Sequence, residues 1–94
     1  MSPPPRVLLC VDDRPDLLRL RETLLGKLGY VVINANSAAA ATAKLENCAI
    51  DAVLLEYKSE GRGAVAFQIK QRFSNPPIIL LSRTPRCPSV FFGW

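Results

Sequence analysis

The chain contains no histidine. That absence removes Ser/His and Cys/His nucleophilic catalysis, histidine metal sites and any histidine that could donate a phosphoryl group from within the chain. Cysteine is scarce: Cys10, Cys48 and Cys87 are odd in number and far apart. They suit neither a disulfide framework nor a zinc site and read as buried reduced thiols. No apolar run approaches the roughly 18 residues of a membrane span, and MSPPPRVLLCVDD lacks the basic start, apolar stretch and cleavage site of a signal peptide. A cytoplasmic location without a membrane partner is expected. Internal repeats and a Gly-rich phosphate loop of recognised form are also missing, since GRG at residues 61 to 63 is too short to be one.

What is present suits one small soluble domain. Ninety-four residues allow a single core, and 49% hydrophobic with 21% charged content is too apolar for a disordered chain. Net charge is +4 and unevenly placed, with 6 basic and 7 acidic groups up to residue 56 and 6 basic and 1 acidic group beyond it. The later basic residues are spread over loops and one helix rather than clustered with aromatics on one face, so they read as solvated surface rather than a nucleic-acid interface.

Apolar periodicity alternates between strand and helix. Val7 to Val11 is a continuous apolar run, the pattern of a strand buried on both faces. Asp13 or Arg14 then caps a helix with Pro15 in its first turn, Leu17, Leu18, Leu24, Leu25 and Leu28 on one face, and Gly29 as its stop. Tyr30 to Ala35 reads as a second strand. Ser37 caps an alanine-rich helix running to about Asn47, with Ala38, Ala41, Leu45 and Cys48 as its inner stripe. Ala52 to Glu56 is a third strand, Tyr57 to Gly63 a loop, and Val65, Ile69 and Phe73 mark a third helix broken by Asn75, Pro76 and Pro77. Ile78 to Ser82 is a fourth strand. Three strand-helix units and a last strand make an α/β fold with an open parallel sheet the economical solution.

In such a sheet functional groups collect beyond the carboxyl ends of the strands. Asp12 and Asp13 end the first strand, Glu56 the third and Ser82 the fourth. If strands one and three are neighbours, three carboxylates meet in one crevice, and a hard divalent cation such as Mg²⁺ is the usual means of keeping such a group ionised. The plainer reading is that Asp12 and Asp13 only cap the first helix.

This arrangement resembles the receiver domain of two-component response regulators over residues 6 to about 86. VLLCVDDRPDLLRLRETLLGKLGY is similar to the family's first strand, acidic pair and first helix; LENCAIDAVLLEYKSEGRG to its third strand and phosphorylation loop; PPIILLSR to its fourth strand ending in a hydroxyl residue. The resemblance implies a flavodoxin-like, receiver-like open sheet with strand order 2-1-3-4-5. It also implies Mg²⁺ held by Asp13 directly, by Asp12 through water and by the Lys58 carbonyl, with Glu56 at the phosphoacceptor position and Ser82 sensing the phosphoryl group.

Two departures shape the functional expectation. The phosphoacceptor position, normally aspartate, is Glu56, and one added methylene displaces the carboxylate by about an ångström in a site where in-line attack tolerates little. Phosphotransfer and Mg²⁺ binding are therefore expected to be weak or absent, with Glu56 either a partial imitation of a phosphorylated aspartate or an inert acid. The second departure is length. Residues 1 to 94 read as a single truncated receiver-like domain ending after the fourth strand, with no lysine after Lys70 to serve as the family's essential cation. The tail VFFGW is expected to add a strand, cover a bare face or pair with a second copy as a homodimer through the exposed edge. The expected function is a degenerate, phosphorylation-independent receiver, not an enzyme, that binds a signalling protein such as a histidine kinase or an output protein. The alternatives are a conventional Mg²⁺-dependent phosphoacceptor receiver and a small Mg²⁺-dependent phosphohydrolase.

Overall fold

Four strands and three helices alternate in the order β1 (Val7–Val11), α1 (Pro15–Lys27), β2 (Val31–Ala35), α2 (Ala38–Asn47), β3 (Ala52–Tyr57), α3 (Arg62–Arg72) and β4 (Ile78–Ser82). The computed structural model describes residues 4–57, 62–73 and 75–82. All four strands are parallel and lie in the order β2-β1-β3-β4. This is a flavodoxin-like, receiver-like α/β sheet with β1 between β2 and β3, the order that the resemblance implied. Lys58, Cys87 and the tail VFFGW lie outside the described residues.

Alternation along β1 divides its side chains between two layers. Leu9 and Val11 join Val53, Leu55 and Ile78 in a buried cluster with Ala41 of α2 and with Ala66 and Ile69 of α3. α2 and α3 pack against each other as well as against the sheet. Leu8 and Cys10 belong to the opposite layer, where α1 packs on β1 and β2 and buries Leu18. Leu9, Ile69, Ile78 and Val53 are fully enclosed, and each such side chain contributes about 1.5–3 kcal/mol relative to exposure. Small residues such as Ala41 and Ala66 let the helices approach the sheet closely. Cys10 is also fully buried, and removal from water pushes its thiol up to about 11 despite the nearby Arg21. It is an inert core side chain at neutral pH.

Local signals explain the helix ends. The Ser37 hydroxyl accepts the Ala40 N–H at 3.0 Å and starts α2. Gly29, at φ +96°, reverses the chain after α1, a conformation that costs glycine little, and the Tyr30 N–H returns to the Leu25 carbonyl at 3.2 Å. At the opposite rim, the Asp51 carboxylate accepts the Val7 N–H at 2.7 Å while its own N–H donates to the Val7 carbonyl at 2.8 Å, tying the start of β1 to the entry of β3.

Several boundaries and burials differ from the sequence reading. Tyr30 precedes β2, β3 runs one residue past Glu56, and α3 begins at Arg62, inside the stretch read as loop. The α1 leucines share a stripe but not equal cover: Leu18 is buried, whereas Leu24 and Leu28 are 52% and 73% exposed. Cys48, the C-cap residue of α2, is only half-buried.

Candidate functional site

The sheet order reverses direction between β1 and β3, since β1 leads to β2 on one side while β3 lies on the other. Helices depart on opposite faces at such a point and leave a crevice beyond the carboxyl ends. Val11 pairs with Leu55, so the following residues, Asp12 and Glu56, come side by side at that edge. Tyr57 pairs with Ser82, which brings the end of β4 to the same rim. The backbone thus gathers Asp12, Asp13, Glu56 and Ser82 at one end of the sheet. The side chains of Glu56 and Ser82 lie outside what the structure describes, and Lys58 lies outside it altogether.

Asp12 and Asp13 are adjacent in sequence but unlike in environment. The Asp12 side chain is 1% exposed and that of Asp13 66%. Asp12 remains on the sheet through its N–H, which donates to the Ala35 carbonyl at 3.1 Å. Its Oδ1 accepts the Arg14 N–H at 3.0 Å and the Arg14 Nε–H at 3.3 Å. Its Oδ2 accepts from Arg21 Nη1 at 3.1 Å. Arg14 is the N-cap residue of α1 and makes no side-chain cap; the polar group securing this helix entry is the Asp12 carboxylate reaching forward to the Arg14 amide. Asp13, offered above as a cap, does not fill that role. Its Oδ1 lies 4.0 Å from Arg14 Nε.

Burial alone would raise the Asp12 carboxyl, but the Arg14 amide and the Arg14 and Arg21 guanidinium groups outweigh it and hold the carboxyl below the ordinary aspartate value. The linkage has a definite sign. A depressed folded-state value gives stability that is present above the unfolded aspartate value of about 3.9 and lost as pH falls through the folded value. Urea midpoints measured across a pH series are therefore expected to fall from about pH 5 downward, and Asp12→Asn is expected to flatten that acid limb. An equally steep limb in the variant would assign the acid sensitivity to other carboxylates.

The charge around Asp12 decides how a metal would fit. Mg²⁺ requires oxygen ligands at about 2.0–2.1 Å in near-octahedral geometry. Both Asp12 oxygens already carry cationic donors. A unit charge pair at about 4 Å is worth roughly 4 kcal/mol at an effective dielectric constant near 20, so a divalent ion beside one guanidinium is repelled by about twice that. The donor set around Asp12 in this arrangement does not fit Mg²⁺.

Arg14 and Arg21 are the site residues that sequence reasoning missed. One signal was available for Arg21: it lies three residues after Leu18 and four before Leu25, a charged residue on the inward stripe of α1. Its side chain is only 19% exposed. Beside the acidic edge, Asp13, Pro15, Leu18, Asn34, Ala35, Asn36 and Ala40 line a cleft of about 350 Å³. Asn34 donates to Glu22 Oε2 at 2.7 Å, while its buried Oδ1 has no partner. A larger cleft of about 490 Å³, lined by Pro4, Arg6, Tyr30 and Asp51 among others, lies at the amino end of the strands, away from Asp12 and Asp13.

No family model and no curated protein sequence matches the chain. Solved structures do. Response regulator TrrA from Thermotoga maritima, in complex with Mg²⁺-BeF, superposes with a TM-score of 0.72 at 29% identity over 86% of this chain and 72% of that one. TrrA in complex with the histidine kinase ThkA gives a TM-score of 0.73 at 29% identity over 90% and 75% of the two chains. The chemotaxis response regulator CheY4 of Vibrio cholerae gives 0.73 over 86% and 71%, and at 20% identity that likeness concerns the fold alone. No helix among the described residues is long and apolar enough to cross a membrane. The chain has the flavodoxin-like fold of response regulator receiver domains, with two consecutive aspartates and a glutamate at the carboxyl edge where the strand order reverses.

Proposed function

We propose that this chain is a degenerate receiver, a cytoplasmic module of two-component signalling that works by binding a protein partner and does not accept a phosphoryl group. The observation that carries the reading is the pairing of β1 with β3. Val11 pairs with Leu55, which supports reading the next residue, Glu56, as the counterpart of the motif's aspartate beside Asp12, whose two oxygens accept from Arg14 and Arg21. A longer carboxylate and a neighbour already paired with two guanidinium groups both oppose in-line phosphoryl transfer. In this reading Glu56 is a fixed negative group at the phosphoacceptor position. In the same reading Asp13 and the Lys58 carbonyl have no metal to hold, and Ser82, the last residue of β4, has no phosphoryl group to sense.

The fitting partner is a histidine kinase or an output protein of the same system; TrrA, similar to this chain over most of its length, is described in complex with the kinase ThkA. The same proposal includes a homodimer through the edge of β4 and the tail VFFGW, and excludes membrane and nucleic-acid partners and enzymatic turnover. The competing reading is a conventional Mg²⁺-dependent phosphoacceptor, favoured by the likeness to TrrA with Mg²⁺-BeF.

Native mass spectrometry after incubation with acetyl phosphate and Mg²⁺ separates the two. The expected result is a dimer mass with no adduct. An added mass of about 80 Da, one phosphoryl group on Glu56, would establish the conventional receiver instead. A monomer at micromolar concentration would remove the homodimer.

A further inference from the structure

We propose that Arg14 and Arg21 are the built-in counter-charge of the acidic edge and close it to divalent cations. The inference deepens the reading above, since it concerns the same pocket, but it stands on geometry of its own. Asp12 is the buried acid of the pair, and each of its oxygens receives a guanidinium N–H, at 3.3 Å from Arg14 and 3.1 Å from Arg21. The two cations reach it from different places. Arg14 comes from the turn before α1, and Arg21 from the middle of the helix, at a position turned toward the sheet. Arg14 also lies within 4.0 Å of Asp13, so the same cation faces both aspartates.

Guanidinium stays protonated throughout the range in which the protein is folded. Its charge therefore does not depend on the concentration of any ion. A receiver whose acids are neutralised by its own helix holds one electrostatic state, whereas acids neutralised by a metal follow the metal. Arg21 blocks from the helix side and Arg14 from the loop side, so removing both is needed to return Asp12 and Asp13 to a metal-binding donor set.

The test uses the whole chain with Mg²⁺, and Mn²⁺ as a paramagnetic probe. For the native sequence, about 10 mM Mg²⁺ is expected to leave the melting temperature unchanged, because a ligand that does not bind the folded state does not stabilise it. Mn²⁺ is expected to cause no selective broadening of the Asp12 and Asp13 amide resonances. The doubly substituted Arg14→Gln, Arg21→Gln chain is expected to melt lower in the absence of metal and to gain several degrees with Mg²⁺. Selective Mn²⁺ broadening at Asp12 and Asp13 in the native chain would overturn the proposal whether or not the variant folds. A folded double variant that remains indifferent to Mg²⁺ would also overturn it. Mg²⁺ uptake without a phosphoryl adduct defeats this inference and leaves the degenerate-receiver reading standing; an adduct on Glu56 without Mg²⁺ uptake does the reverse.

Discussion

Arg21→Ala is expected to lower the free energy of unfolding by about 3 kcal/mol, which for a domain of this size shifts the melting temperature by roughly 12–24 °C. Removing one partner of a buried ion pair leaves the other charge out of water and uncompensated, at a typical cost of 3–5 kcal/mol. The lower end applies here because Arg14 still donates to Asp12 Oδ1 through its amide and its guanidinium. Arg21 is 19% exposed and the Asp12 side chain 1%, so solvent screens the pair far less than it screens a surface salt bridge. Urea unfolding followed by far-ultraviolet circular dichroism measures the loss. A cycle with Asp12→Asn assigns it to the pair: Arg21→Ala should cost much less once Asp12 no longer carries charge. An equal loss in both backgrounds would mean that the Arg21 side chain stabilises α1 by packing rather than by its charge.

Leu9→Ala is expected to cost about 3–5 kcal/mol, the upper part of the range for buried leucines. Leu9 has no exposed surface, and β1 is flanked by paired strands on both sides. Its neighbours cannot move in to fill the space without breaking a ladder, so the cavity stays open. Domains of this size have total stabilities of about 5–15 kcal/mol, and the variant is expected to unfold at a much lower urea concentration with an unchanged denaturant slope. Leu24→Ala is the internal control. Leu24 is about half exposed, and a loss as large as that of Leu9 would show that α1 carries a cover not apparent from its exposure.

The two substitutions bear on different levels of the molecule. Leu9 holds β1 in the sheet that carries Asp12 to the rim; Arg21 sets what Asp12 can bind once it is there. The first acts on the fold alone. The second acts on the fold and on the charge of the pocket, which is why its double-mutant cycle matters more than its size.

Most of the architecture was legible in the chain because it rests on local, periodic signals. The apolar run from Val7 to Val11, followed by two aspartates, marks a doubly covered strand and its end. Ser37 and Gly29 mark helix boundaries through bonds and backbone freedom that involve only near neighbours. Those signals also put Asp12, Asp13, Glu56 and Ser82 near strand ends, and the pairing of β1 with β3 and of β3 with β4 brings these positions to one end of the sheet. Burial along α1 was less legible. Helical spacing shows which leucines share a stripe, but not how far the sheet beneath them extends, and Leu24 and Leu28 lie where it gives little cover.

The chain itself therefore determined the alternation of strands and helices and the acids at the strand ends, since each depends on residues close together in sequence, and the alternation in turn favours parallel strands joined by helical crossovers. Only the tertiary structure decided which cations those acids meet. Arg21 lies nine residues beyond Asp12 and reaches it because α1 folds back over β1 and presents that turn to the sheet. An ion pair of this kind depends on direction and burial in space, and those are set by packing between elements rather than by spacing along any one of them.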